Sequence, residues 1–150
     1  MDFITGLFDM DFAALVPEMD AVLGIIRPAL AVTLLAGPII LLVLGLLYLL
    51  LAPPEANYRF GYRTYFGMGS VEAWRFSQRI AGIAYGVVGL VLLIVMIVTV
   101  KGLGGKDFFQ MAETAIRCLL WQGGAALFAQ LVVAILAGVF FRADGSRRIE

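Results

Sequence analysis

The placement of charged residues constrains this chain more than any other feature. No charged residue occurs from Pro28 to Pro54, from Ile80 to Val100 or from Cys118 to Phe141. About 20 apolar residues cross the hydrocarbon core of a bilayer, and backbone groups in lipid must pair within their own segment. The stretches therefore predict an all-α membrane protein with three transmembrane helices. The spans are predicted at about 29–51, 80–100 and 119–141.

The composition agrees with this fold class and argues against several functions. Hydrophobic residues make up 62% of the chain and charged residues 15%, whereas a soluble domain carries about a quarter charged residues. The chain has no histidine and a single cysteine, Cys118, so the commonest general base and metal ligand are missing. We expect no catalytic residue, no metal and no cofactor. Eleven basic residues balance eleven acidic ones, which argues against nucleic acid as a partner.

The sequence divides into an N-terminal segment, 1–27, and a three-span domain over 28–150. Apolar residues recur at helical spacing within 3–16. All charged residues before Arg27 are acidic, whereas a cleavable signal peptide begins with a basic region. Pro17 suits the first turn of a second short helix. We interpret the segment as amphipathic and interfacial. A helix packed against the bundle is an equally open alternative.

Basic residues predict the orientation of the spans. The first loop and the C-terminal tail together carry seven basic residues, and the other ends of the spans carry four. The side with more basic residues faces the cytoplasm under the positive-inside rule. We therefore expect the N-terminus outside the cell and the C-terminus in the cytoplasm.

A few residues within the spans indicate how the helices pack. Gly82 and Gly86 form a small-xxx-small pair that permits close helix approach. Pro38 cannot donate the helical hydrogen bond to residue 34, which predicts a kink. Gln130 lies nearest the middle of the bilayer, and we expect its side chain to find an interhelical partner.

The first loop carries the strongest functional signal. It is dense in arginine and aromatic residues, and Gly61 permits unusual backbone angles. Ser70 is placed to cap a helix with Glu72 in its first turn, where Glu72 is expected to pair with Arg75 or Arg79. Simple anchoring at the lipid interface is the alternative, because arginine and aromatic residues collect there in any case.

Spacing within the loop strengthens the functional interpretation. Trp74 and Arg79 lie eleven and sixteen residues after Arg63. The motif runs from Pro54 and Asn57 through Gly61-Tyr62-Arg63-Thr64 to Trp74, Arg79 and Ala81-Gly82. In these residues the chain resembles the SdpI family of bacterial membrane proteins, over about residues 35–100. It departs from the family pattern at Gly67, Ser70 and Gln78, of which Gln78 keeps an amide where the family often has histidine or asparagine.

The resemblance implies a non-enzymatic immunity protein of the bacterial plasma membrane. Such a protein protects against a secreted toxin peptide, and it relays a signal by holding a transcriptional repressor at its cytoplasmic loop. The expected partners are membrane lipids, a toxin peptide or repressor, and a second copy of the chain in a homo-oligomer. The expected binding residues are Asn57, Gly61, Tyr62, Arg63, Thr64, Trp74, Arg79 and Gly82.

Two other function classes are open. The chain is alternatively an oligomeric membrane scaffold or passive conduit that binds lipid headgroups or a small ligand. A membrane-embedded enzyme is disfavoured because histidine is missing and no carboxylate pair lies within a span. Arg63 is the expected recognition residue, since its guanidinium makes bidentate bonds to phosphate or carboxylate.

Overall fold

A computed structural model describes residues 12–57 and 59–148. Over these residues the chain forms three long helices: α1 (Phe12–Leu50), α2 (Val71–Lys101) and α3 (Phe108–Phe140). A 3-10 helix at Gly102–Gly105 follows α2. The described part of the chain contains no β-strand, and its isolated β-bridge joins Phe141 to Arg147.

All three helices are long and apolar enough to cross a membrane, which confirms the predicted fold class. The qualifying stretches are Ala21–Leu50, Val71–Gly105 and Phe108–Phe140, each longer than the charge-free stretch that predicted it. Many large apolar side chains on them are exposed, among them Trp121 at 76% and Leu120 at 71%. Exposed apolar surface on this scale is typical of helices that face a membrane.

Helix α1 begins before the first predicted span. One continuous helix runs through Phe12–Leu50 and so includes part of the predicted N-terminal segment, and the division of the chain at residue 28 stays a prediction. Pro17 lies within this helix and does not begin a new one. Residues 1–11 lie outside the described residues, and the interfacial character of 1–27 stays a prediction.

Helix starts follow local side-chain chemistry. Ser70 caps α2, where its hydroxyl accepts a hydrogen bond from the Ala73 N–H at 3.1 Å. The cap at Ser70 was predicted from the sequence and is confirmed. Asp107 caps α3 in the same way through the Gln110 N–H at 2.8 Å. Each cap satisfies an N–H that has no partner inside its helix.

Helices α1 and α2 approach each other along a seam of glycines. A Cβ atom on Gly45 would lie 2.5 Å from the backbone nitrogen of Gly86, and one on Gly82 would lie 2.5 Å from the Leu49 side chain. A Cβ on Gly89 would meet the Leu42 backbone nitrogen at 2.6 Å. The predicted close approach at Gly82 and Gly86 is therefore present, with Gly45 as its counterpart on α1.

A glutamine from α3 completes the hydrogen bonding of α1 beside its proline. Pro38 has no N–H, so the Leu34 carbonyl receives no hydrogen bond from residue 38 within the helix. The buried Gln122 side chain donates to this carbonyl at 3.0 Å, and a Cβ on Gly37 would collide with the same amide. The predicted partner role of Gln130 is wrong. Its side chain is exposed and makes no hydrogen bond within the described residues, because it faces away from the helix contact.

Two buried clusters occupy opposite ends of the bundle. Near the α2–α3 connection the cluster is apolar, with Leu34, Met96 and Met111 at its centre. Near the first loop the cluster contains Tyr62 and Tyr85 together with small and apolar residues of α2 and α3. The polar and aromatic content of the bundle interior is thus concentrated at the loop end.

Candidate functional site

Trp74 is the buried centre of the first loop. Its ring is 0% exposed, and its Nε1–H donates to the Pro53 carbonyl at 2.8 Å. Gly61 lies against the ring with φ of 121°, and a Cβ there would lie 2.5 Å from two ring atoms. Glycine is required at this position both by the backbone angle and by the contact. Trp74 therefore holds the loop at two points, at Pro53 near its start and at Gly61 in its middle.

Gln78 holds the middle of the loop by a two-way amide pairing. Its Oε1 accepts from the Tyr62 N–H and its Nε2 donates to the Tyr62 carbonyl, both at 2.7 Å. The Gln78 side chain is 3% exposed, so both bonds are shielded from water. An amide pairs with backbone in this way because it carries one acceptor and one donor side by side.

Tyr62 links the loop to all three helices. Its ring contacts Tyr48 of α1 and Tyr85 of α2 in edge-on arrangements, with centroids 5.9 and 5.8 Å away. Its hydroxyl donates to the Gln130 carbonyl of α3 at 3.2 Å. Burial, with Tyr85 beside it as a smaller cause, raises the pKa of Tyr62 well above its usual value. The phenol therefore stays protonated and available as a donor.

Two short turns shape the rest of the loop. The Asn57 Oδ1 accepts from the N–H groups of Arg59 and Phe60, both at 2.9 Å. The Thr64 hydroxyl accepts from the Gly67 N–H at 2.9 Å. Both residues act on nearby backbone, as Asn and Thr commonly do in turns. In the structure their side chains shape the loop.

Arg63 lies on the exposed surface of the loop. It lines a depression of ≈ 480 Å³ together with Thr64, Tyr65 and Met68, and with Ala143 of the C-terminal tail. Tyr65 is 77% exposed. We name the surface formed by Arg63, Thr64, Tyr65 and Met68 the loop face.

The C-terminal tail packs against the loop and the start of α2. The Ser70 hydroxyl donates to the Gly145 carbonyl at 2.8 Å, and Arg147 pairs with Glu72 at 2.6 Å. A Cβ on Gly69 would lie 2.5 Å from the Gly145 nitrogen. The predicted pairing of Glu72 with Arg75 or Arg79 is wrong, because the tail supplies a closer cation. The first loop and the C-terminus thus lie at the same end of the bundle.

Arg75 and Arg79 border a second cleft, which shares no lining residue with the depression at the loop face. The Arg75 Nε–H donates to the Pro54 carbonyl at 3.2 Å. The cleft has a volume of ≈ 240 Å³ and lies between the end of α1 and the start of α2. Its lining residues are Tyr48, Leu49, Ala52, Pro53, Pro54, Arg75, Gln78 and Arg79.

The predicted site residues therefore divide into four groups. Gly61, Tyr62 and Trp74 meet in the buried centre of the loop. Arg63 and Arg79 lie on separate exposed surfaces, and Gly82 lies in the α1–α2 seam. The remaining two, Asn57 and Thr64, shape turns.

Sequence reasoning missed several residues that hold the site together. Gln78 was noticed as a departure from the family pattern, but its pairing with Tyr62 was not foreseen. Pro53 and Gly145 supply backbone carbonyls, and a carbonyl acceptor leaves no mark in the residue type. Arg147 was counted only as a charge for orientation. The available signal in the sequence was Gly145, because a glycine two residues before Arg147 indicates a turn there. The structure has that turn, with φ of 78° at Gly145.

Comparison with protein-family models gives one assignment. The model described as the SdpI/YfhL protein family matches residues 54–141, which is more than half of the chain and includes the whole third helix. The match begins at Pro54, where the motif was predicted to begin, and it extends beyond the resemblance seen in the sequence. No match was found among curated proteins or among solved structures. The chain belongs to the SdpI/YfhL protein family.

Proposed function

We propose that this protein is a non-enzymatic immunity protein that protects against a secreted toxin peptide and relays a signal by binding a cytoplasmic repressor at its loop face. The observation that carries the proposal is the rigid support of that face. Trp74 and Gln78 fix the loop backbone through three hydrogen bonds, and the two made by Gln78 are buried. A surface held in one geometry loses little conformational entropy when it binds a partner.

The chemistry of the loop face suits a peptide. Arg63 offers a guanidinium for carboxylates, and the exposed Tyr65 ring offers apolar area with a polar tip. Arginine and tyrosine are the residue types that most often carry binding energy at protein interfaces. The depression beside them is wide enough, at ≈ 480 Å³, to admit side chains of a partner.

The proposed location is the plasma membrane of a bacterium, with the loop face in the cytoplasm. The seven basic residues at the loop end support this orientation. Reporter fusions after residue 150 test it. A fluorescent protein that folds only in the cytoplasm should be bright there, and a periplasm-dependent phosphatase should be inactive. The opposite pair of results would place the loop face outside.

Survival under a killing peptide tests the function. The wild-type chain and Arg63→Ala and Tyr65→Ala variants are expressed at matched membrane levels in a toxin-sensitive bacterium. Protection by the wild type and its loss in both variants is the expected result. Arg142→Ala is the matched control, since Arg142 is an exposed arginine at the same end that does not line the depression. Wild-type insertion without protection would overturn the immunity role and favour the scaffold alternative.

A further inference from the structure

The cleft between the end of α1 and the start of α2 combines positive charge with an apolar wall. Arg75 and Arg79 lie one helical turn apart, which is about 6 Å along the axis. They are the charged residues among those that line the cleft, and no acidic side chain lines it in the described part of the chain. Leu49 and Tyr48 form the wall toward the bundle.

The guanidinium groups at this cleft are available for an anion. Arg75 uses its Nε–H on the Pro54 carbonyl, which orients the group and leaves the N–H groups of its terminal nitrogens as further donors. The Pro53 carbonyl is occupied by Trp74, and the Gln78 amide is occupied by Tyr62. Arg79 makes no hydrogen bond or ion pair with any residue that the structure describes.

The C-terminal tail removes the nearest competing acid. Glu72 lies one turn before Arg75 on the same helix and borders a neighbouring depression with Arg75 and Arg79. The Arg147 guanidinium pairs with Glu72 at 2.6 Å. Glu72 is thus paired with the tail, and neither Arg75 nor Arg79 forms an ion pair with any residue that the structure describes.

The depth of the cleft indicates where the anion comes from. Arg79 directly precedes the charge-free stretch Ile80–Val100, whose 21 residues span roughly 30 Å as a helix, the thickness of the hydrocarbon core. Arg79 therefore lies at the boundary of the core and Arg75 one turn farther out, at headgroup depth. Leu49, which is 45% exposed, extends the wall into the apolar layer.

We propose that Arg75 and Arg79 bind the phosphate of an anionic phospholipid in this cleft, with its glycerol and upper acyl chain against Leu49 and Tyr48. Arginine pairs bind phosphate oxygens through several charge-assisted hydrogen bonds at once. Free phosphate shares this chemistry but would leave the apolar wall uncovered. The site is distinct from the loop face and does not depend on toxin immunity.

Native mass spectrometry of the purified protein in detergent tests the proposal. Phosphatidylglycerol is titrated against phosphatidylcholine, and inorganic phosphate is added in a separate arm. Wild type should retain phosphatidylglycerol preferentially. Because each arginine near a membrane surface contributes about 1 kcal/mol, a single Arg→Gln change should weaken binding roughly five-fold and Arg75→Gln/Arg79→Gln roughly twenty- to thirty-fold.

A matched control separates the site from general charge. Arg59→Gln/Arg142→Gln removes two exposed arginines from the same end of the bundle, outside the cleft, and should leave binding within about two-fold of wild type. Arg75→Lys/Arg79→Lys should bind between wild type and the glutamine variant, because lysine keeps the charge without the bidentate geometry. Circular dichroism confirms that each variant is folded.

Three outcomes decide the proposal. Selective loss in the cleft variant, with the control unchanged, establishes the lipid site. Equal loss in both double variants, or loss in neither, overturns it. If inorganic phosphate binds in an arginine-dependent manner and phosphatidylglycerol does not, the lipid assignment is overturned in favour of soluble phosphate. None of these readouts involves the toxin, so failure here and failure of the immunity role are distinguishable.

Discussion

The two ends of the bundle are held together in different ways. At the loop end, polar side chains pair with backbone groups far away in the sequence, as the buried Gln78 does with Tyr62 and the half-buried Ser70 with Gly145. At the opposite end, Leu34, Met96 and Met111 pack in an apolar cluster. Polar contacts there are local, such as the Arg117–Glu113 pair one turn apart.

The difference shows where the chain specifies one geometry. Apolar packing tolerates substitution by residues of similar volume, whereas a buried hydrogen-bonded pair accepts only side chains with matching donors and acceptors. The loop end is therefore the part of the molecule in which single substitutions should be costly. The family match begins at the loop, at Pro54, although it continues through α3.

The largest effect is expected for Trp74→Ala. Trp74 is fully buried and bonded to Pro53, so its loss leaves a cavity beneath Gly61 and an unpaired carbonyl. We expect destabilisation of about 3–5 kcal/mol, measured by unfolding in mixed detergent micelles. Trp121→Ala is the control, because Trp121 is 76% exposed in the apolar surface. Equal losses in the two variants would remove the distinction between buried loop centre and lipid-facing surface.

Gln78→Ala should cause the second-largest loss in the free energy of unfolding. The substitution leaves the buried N–H and C=O of Tyr62 without partners, and each unsatisfied group costs about 1–3 kcal/mol. We expect a loss of about 2–4 kcal/mol. Protection of the Tyr62 amide in hydrogen exchange should fall as well. Gln110→Ala serves as the control at the opposite end, where the side chain is exposed. Unchanged exchange at Tyr62 would contradict the pairing.

Gln122→Ala tests the polar contact in the middle of the bundle. We expect a cost of about 0.6 kcal/mol and no more than about 1.7 kcal/mol, which are the mean and the maximum for interhelical hydrogen bonds in a membrane protein. A double-mutant cycle with Pro38→Ala tests whether the missing N–H of Pro38 is what gives the Gln122 hydrogen bond its value. Alanine at position 38 restores an N–H for the Leu34 carbonyl, so Gln122→Ala should cost less in that background. An additive cycle would show that the two residues are not coupled.

The smallest effect is expected for the ion pair between Glu72 and Arg147. Both side chains are more than half exposed, at 58% and 56%, and exposed pairs contribute about 0–1 kcal/mol. A double-mutant cycle at low and high salt should show a coupling that disappears with salt. The same cycle on Glu113 and Arg117, a pair at the opposite end, should behave alike. A large, salt-insensitive coupling for either pair would contradict this.

The sequence by itself determined the three membrane helices and several of their local features. Lipid cannot satisfy backbone hydrogen bonds, so a long charge-free stretch has essentially one conformation open to it. The Ser70 cap and the close approach at Gly82 and Gly86 were also predictable, because each depends on residues within a turn or two of one another. Asn57 and Thr64 were named through the family resemblance, and the turns that they shape were not predicted.

Only the tertiary structure decided which polar groups meet. Gln122 rather than Gln130 reaches α1, and Arg147 rather than Arg75 or Arg79 neutralises Glu72. Helical periodicity tells which residues share a face and how deep they lie. It does not tell which residue of another helix stands opposite, since that depends on how the helices are rotated and shifted against each other. The candidate site is built from such contacts, so the sequence indicated its members and the fold arranged them.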